Sequence, residues 1–327
     1  MRHFLAVAAT LGLACASCLP ADTRPPPGSV LLTVTSGDEP VVMTADGWSM
    51  TVDRLLIGLG GAQFEHRQDC EAYSDTSYDR LLDATLRHEQ KLSIIYGLGG
   101  CPFQFAIRWP SAETVLGEGV TEADREDMGG FPELSPEHPP GIAVDFAATA
   151  TRGSEVKRVH WRFRQSTGYF NCSLRAEGGA PLPLVLDSDE NLAAPIAVRG
   201  TVLFLDDAAT TGDAQATAEL RFDVMAAADT AHGNDDGEVT LDELAEVSLD
   251  EARRFGGRYN VDPGTPTPSK LADYLHLGLF RRLVEPRQPF GCQAPPGSRP
   301  PMSRPEAHEV ATPNRSLTAL STSPASP

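Results

Sequence analysis

Apolar residues recur at every second position over much of the chain, and that alternation limits the fold more than any other feature of the sequence. Trp48, Met50 and Val52 oppose Ser49, Thr51 and Asp53, while Phe103, Phe105, Ile107 and Trp109 oppose Gln104, Ala106 and Arg108. Ile142, Val144 and Phe146 alternate with Ala143, Asp145 and Ala147, and Val159, Trp161 and Phe163 with His160, Arg162 and Arg164. Successive side chains of a strand point to opposite faces, so a period of two marks strands with one buried face. Apolar runs at 184–186 and 202–205, set off by Gly, Asp and Pro, extend the pattern. The expected fold is mainly β, with an antiparallel β-sandwich body.

Helix signals gather in the last third, at 240–247, 248–254 and 267–284. Ser248 and Glu251 have capping-box spacing. Thr267 followed by Pro268 reads as an N-cap with proline at the first helical position, and Leu271, Leu275, Leu279 and Leu283 then recur every four residues. A C-terminal α-rich appendage follows from these signals. The expected organisation is an export signal at 1–18, a proline-rich spacer at 19–28, the β-sandwich at 29–215, the α-rich subdomain at 216–292 and a disordered tail at 293–327. The 35 tail residues include 17 Pro, Ser or Thr and no aromatic, too little apolar surface to fold. Two glycine runs, at 58–61 and 97–100, read as similar tight turns at strand ends. A nucleotide loop is disfavoured, because a cysteine, a proline and a strand follow the second run.

The amino terminus combines Met-Arg-His, an apolar run at 4–14 and then Cys15-Ala16-Ser17-Cys18. That is the architecture of a bacterial export signal, and small residues before each cysteine suit lipid anchoring at Cys15 or Cys18. The remaining cysteines, Cys70, Cys101, Cys172 and Cys292, are even in number. In an exported chain they imply two disulfides, and Cys70 with Cys101 and Cys172 with Cys292 is the preferred pairing of the three available. With 27 Lys and Arg against 45 Asp and Glu, a net charge of −18, the surface repels nucleic acid and anionic membranes.

Fourteen acidic residues stand against Arg221 alone between Asp206 and Glu251. Calcium takes about six to eight oxygen ligands, and a loop with a sharp glycine turn, oxygen side chains at alternate places and a final bidentate Glu supplies them. If Gly237 is sixth in such a loop, Asn234 and Asp236 fall third and fifth, Glu238 seventh through its carbonyl, apolar Val239 eighth and Glu243 twelfth. First place falls on His232, a poor ligand for a hard cation, whereas Asp229 lies three residues upstream. An insertion within 230–233 would let Asp229 fold back, with 222–228 as the entering helix.

These residues resemble an EF-hand calcium loop. The wider plan is similar to that of bacterial secreted lipoproteins: an export signal ending in cysteine, a β-rich body containing Thr44-Ala45-Asp46-Gly47-Trp48, and a late acidic loop before a closing cysteine. The resemblance implies calcium held by Asp229, Asn234, Asp236, Glu238 and Glu243. It implies location in the outer membrane, periplasm or cell surface, and no substrate. The competing reading of the same loop is a helix-capped acidic turn. Asp187, Asp189 and Asn191 repeat the ligand spacing without the glycine and read as a turn. Arg158, His160, Arg162 and Arg164 share one strand face, and solvation or cross-strand pairing is their ordinary fate. The expected function is a lipid-anchored, calcium-binding envelope protein whose β-sandwich is a binding or structural module rather than an enzyme. The alternatives are an envelope hydrolase with paired carboxylates and a periplasmic copper-handling protein, the latter favouring clustered His, Met or free Cys.

Overall fold

The structure, a computed structural model, describes residues 25–73, 78–130, 140–176, 179–209 and 217–293. The export signal, most of the spacer and residues 294–327 of the tail lie outside the described residues.

The chain is mainly β, and two sheets form a sandwich-like body. In the first sheet, strand Gly28–Ser36 lies between Gln90–Gly100 and Asn191–Val198, and Val284–Pro286 adds to the outer side of Asn191–Val198. In the second, Ser49–Phe64 is central, with Phe103–Ile107 and then Thr167–Arg175 on one side, and Val144–Arg152 and then Glu155–Phe163 on the other.

Pairing of Gly28–Ser36 with Asn191–Val198 is parallel, so the body is not antiparallel throughout. Parallel neighbours need a long crossover. Here the chain between them first builds most of the second sheet. Within Ser49–Phe64 the register shifts between Val52 and Arg54, and the buried phase passes from Met50 to Leu55, Ile57 and Leu59. A single extra residue reverses which side chains face the core. Leu56, on the opposite face, is covered by Met128 of helix Glu122–Met128 in a small second cluster with Leu81 and Ile142.

Neither glycine run is a simple turn. Gly58 to Gly61 lies inside Ser49–Phe64, and Gly97 to Gly100 forms the end of Gln90–Gly100, paired with Cys70–Ala72 and Val185–Leu186. The run at 97–100 admits close neighbours: a Cβ on Gly99, whose φ is +87°, would sit 2.1 Å from the Asp69 carbonyl oxygen. Both disulfides pair as expected, Cys70 with Cys101 and Cys172 with Cys292.

In the helical segment, Leu271, Leu275, Leu279 and Leu283 are all fully buried, and they belong to the same continuous core as Val30, Leu32 and Val34 of the first sheet. Each such burial contributes about 1.5–3 kcal/mol. Helix formation starts at Leu271 with Lys270 as N-cap, so Thr267 and Pro268 precede the helix rather than open it. Ser248 does cap Leu249–Arg253, its hydroxyl accepting from the Glu251 N–H. Among the described residues, no helix is long and apolar enough to cross a membrane.

Candidate metal centre

The acidic loop runs from helix Asp223–His232 through Gly233 to Gly237, then strand Glu238–Val239 and helix Leu241–Glu246. Phe222, at the N-cap of the first helix, has no side chain with which to satisfy the opening N–H groups. Asp46 of the body does so instead, its Oδ2 accepting from the Phe222 and Asp223 N–H groups, both at 2.7 Å. Trp48 Nε1 donates to Asp223 Oδ1 at 2.9 Å, and Arg152 pairs with Asp223 while lying 4.4 Å over the Trp48 ring. The Thr44 to Trp48 stretch is thus a socket for the helix entrance. Ring contacts continue inward from Trp48 to Phe222, Phe204, Trp161 and Phe146, with centroids 5.1–5.9 Å apart.

At the other side of the loop, Val239 sits opposite Val159 in a parallel ladder, the Arg158 N–H donates to the Gly237 carbonyl, and Trp161 Nε1 donates to the Val239 carbonyl at 2.9 Å. The residue that occupies eighth place in the loop therefore joins the sandwich edge.

Asp229, two turns into its helix, is wholly buried. Its Oδ2 accepts from the Gly237 N–H at 3.0 Å and from Lys157 Nζ at 2.5 Å, while Oδ1 has no hydrogen-bond partner. Lys157 is itself only 7% exposed and lies 3.5 Å from Asp235 Oδ1. Burial opposes its charge, yet the hydrogen bond and charge of Asp229, with Asp235 behind it, prevail and raise its pKa. A buried carboxylate without a cation is strongly disfavoured, and here the ammonium of a sandwich strand supplies the positive charge.

The remaining predicted ligands hold one another. Asn234 Nδ2 donates to Asp236 Oδ2 at 2.9 Å, and the Glu238 N–H to Asp236 Oδ1 at 2.8 Å. These two bonds lower the pKa of exposed Asp236. Asp235 and Gly237 adopt φ of +56° and +84°, which makes the sharp turn. Glu243 Oε2 accepts from the Thr240 N–H in a full capping box. Its other oxygen faces Gly233, where a Cβ would lie 1.9 Å away, so only glycine leaves room for that carboxylate. His232, first by simple counting, turns instead to Glu251 at 3.0 Å.

Compared with family models, curated proteins and solved structures, the chain matches none.

Asp229 and the turn at Gly237 are brought together by a direct hydrogen bond, whereas Asn234, Asp236 and Glu243 are engaged locally. Among the described residues, no three His, Cys, Asp or Glu side chains converge as a ready metal group. The donor chemistry still suits a hard cation: all are oxygens, one of them a buried carboxylate oxygen without a partner. Lys157 Nζ, in turn, marks where positive charge already sits. Sequence reading missed Lys157, although it stands in phase with Val159, Trp161 and Phe163 on the core face, a place where lysine is exceptional. The other strand face behaves as expected of a paired charge row: His160 meets Asp145 at 2.8 Å, Arg162 pairs with Asp127, and Arg164 donates to the Pro140 carbonyl. Asp187 and Asp189 lie in the turn between Val185–Leu186 and Asn191–Val198, and Asn191 opens the second of these strands.

Proposed function

We propose that the chain is an exported, lipid-anchored cell-envelope protein whose acidic loop holds calcium where the helices meet the sandwich, the sandwich acting as a binding or structural module. The observation that carries the calcium reading is the buried Asp229 carboxylate with one oxygen unpartnered beside the Gly237 turn. Side-chain oxygens of Asp229, Asn234, Asp236 and Glu243, with the Glu238 carbonyl, would hold the ion. Its contribution is positive charge at the joint, in place of or beside Lys157. Two disulfides support an oxidising compartment, and the apolar amino-terminal run before Cys15 and Cys18 supports export and lipidation.

Titration calorimetry of the full chain tests the site. Wild type is expected to bind calcium with a dissociation constant of about 10⁻⁴–10⁻³ M. Glu243→Gln keeps a cap acceptor for Thr240 but loses the ligand charge, so binding should disappear while the fold persists. Equal binding by the parent and Glu243→Gln would overturn the assignment. Detergent partitioning of wild type, lost when Cys15 and Cys18 are both changed to Ser, tests the anchor.

A further inference from the structure

Away from the acidic loop, a cleft of about 470 Å³ opens where the helical segment, the short helix Gly200–Phe204 and the outer strand Val284–Pro286 meet. Its volume falls within the range of small-molecule sites. Its charge runs against the rest of the molecule. Three guanidiniums line it, Arg199, Arg281 and Arg282, in a chain whose net charge is −18. Arg199 pairs with Glu285 at 3.3 Å and Arg281 with Asp262 at 2.5 Å. Arg282 donates to the Asp207 carbonyl at 2.9 Å and otherwise shares the charges of Glu285 and Asp262, the carboxylates paired with its two neighbours. Among the described residues, three cations against two carboxylates leave one positive charge. Arg281 is 8% exposed and its Nε lacks a partner, an unsatisfied donor in the same wall. Beside these donors and Glu285, the cleft has an apolar wall of Val202, Leu205, Leu220 and Val284.

We propose that this cleft binds an amphiphile bearing a single carboxylate, with the carboxylate on Arg282 and the hydrocarbon against Val202, Leu205 and Leu220. One guanidinium in excess of the two carboxylates matches one negative charge, and its planar fork matches a carboxylate in two-point contact. The apolar wall gives no purchase to a small inorganic anion. The site is independent of calcium, since none of its residues belongs to the acidic loop.

Decanoate, decanol and acetate separate the contributions in calorimetry with the full chain. Decanoate is expected to bind saturably, with decanol and acetate each weaker by at least about tenfold, the cost of losing a charged hydrogen bond or the buried chain. Arg282→Met should weaken decanoate by a similar factor. Ala218→Trp, which places bulk in the cleft from a partly exposed position, should abolish binding with unchanged circular dichroism, and decides the matter if Arg282→Met fails to fold. Equal binding of decanol and decanoate, indifference to Ala218→Trp, or no binding of any probe at millimolar concentration would overturn the proposal.

Discussion

Strand Glu155–Phe163 passes between two physical regimes on one face. At Val159, Trp161 and Phe163, the side chains are buried among other rings and aliphatic groups, as in the rest of the sandwich. At Lys157, earlier on that face, the neighbour is a buried carboxylate. Apolar packing is distributed, so losing one contact leaves the others in place. The charged joint is concentrated in one pair, and removing either member exposes the full desolvation cost of its partner. The sandwich thus tolerates local change that the joint between sheet and helices does not.

The largest effect expected from breaking this contrast comes from the disulfide that closes the helical segment onto the second sheet. Cys172 and Cys292 are 120 residues apart in sequence, against 31 for Cys70 and Cys101. Chain-entropy arithmetic gives about 5 kcal/mol for the longer loop and about 3.7 kcal/mol for the shorter. Denaturant unfolding of the two double Cys→Ala variants should rank them in that order. Next, Asp46→Ala removes the acceptor for both opening N–H groups of helix Asp223–His232 and should cost about 1–2 kcal/mol by the same measurement. The helical segment should then exchange its amide hydrogens faster than the sandwich does.

The smallest effect is expected from pH. Burial lowers the His276 pKa below its ordinary value of 6.5, with nearby Asp273 opposing the shift, while Gln165 Oε1 lies 3.0 Å from its Nδ1. The folded state therefore resists a proton that the unfolded chain accepts. Stability linked to this residue is present above pH 6.5 and is lost as pH falls through that value toward the folded one. Melting curves between neutral and mildly acidic pH should slope less in His276→Gln than in wild type.

The sandwich was legible because alternation reports burial directly: Trp161 and Phe163 read as core and are core. The cysteine pairing was legible from position along the chain. The parallel pairing of Gly28–Ser36 with Asn191–Val198 was not, since periodicity says which face is buried and nothing about which strands adjoin. The register shift after Val52 was hidden for the same reason. In the loop, composition marked Asp229 and the Gly237 turn, but local spacing carries no trace of Lys157 or Asp46, both supplied by distant strands or turns. A charge in phase with an apolar strand face was the signal available, and it pointed to a buried partner elsewhere in the chain.

Lys157→Met tests the central claim most directly, that a cation at Asp229 joins the helices to the sandwich. In calcium-free buffer the variant should lose about 3–5 kcal/mol, because Asp229 is left buried without a positive partner. For wild type, a dissociation constant of about 10⁻⁴–10⁻³ M gives only ~0.4–1.4 kcal/mol of stabilisation at about 1 mM calcium. The measurement is the calcium-dependent shift in melting temperature of the two proteins side by side. The account predicts a larger shift in Lys157→Met than in wild type, since the ion takes over the charge that the lysine supplied. A variant as stable as the parent without calcium, or one that calcium leaves unchanged, would contradict it.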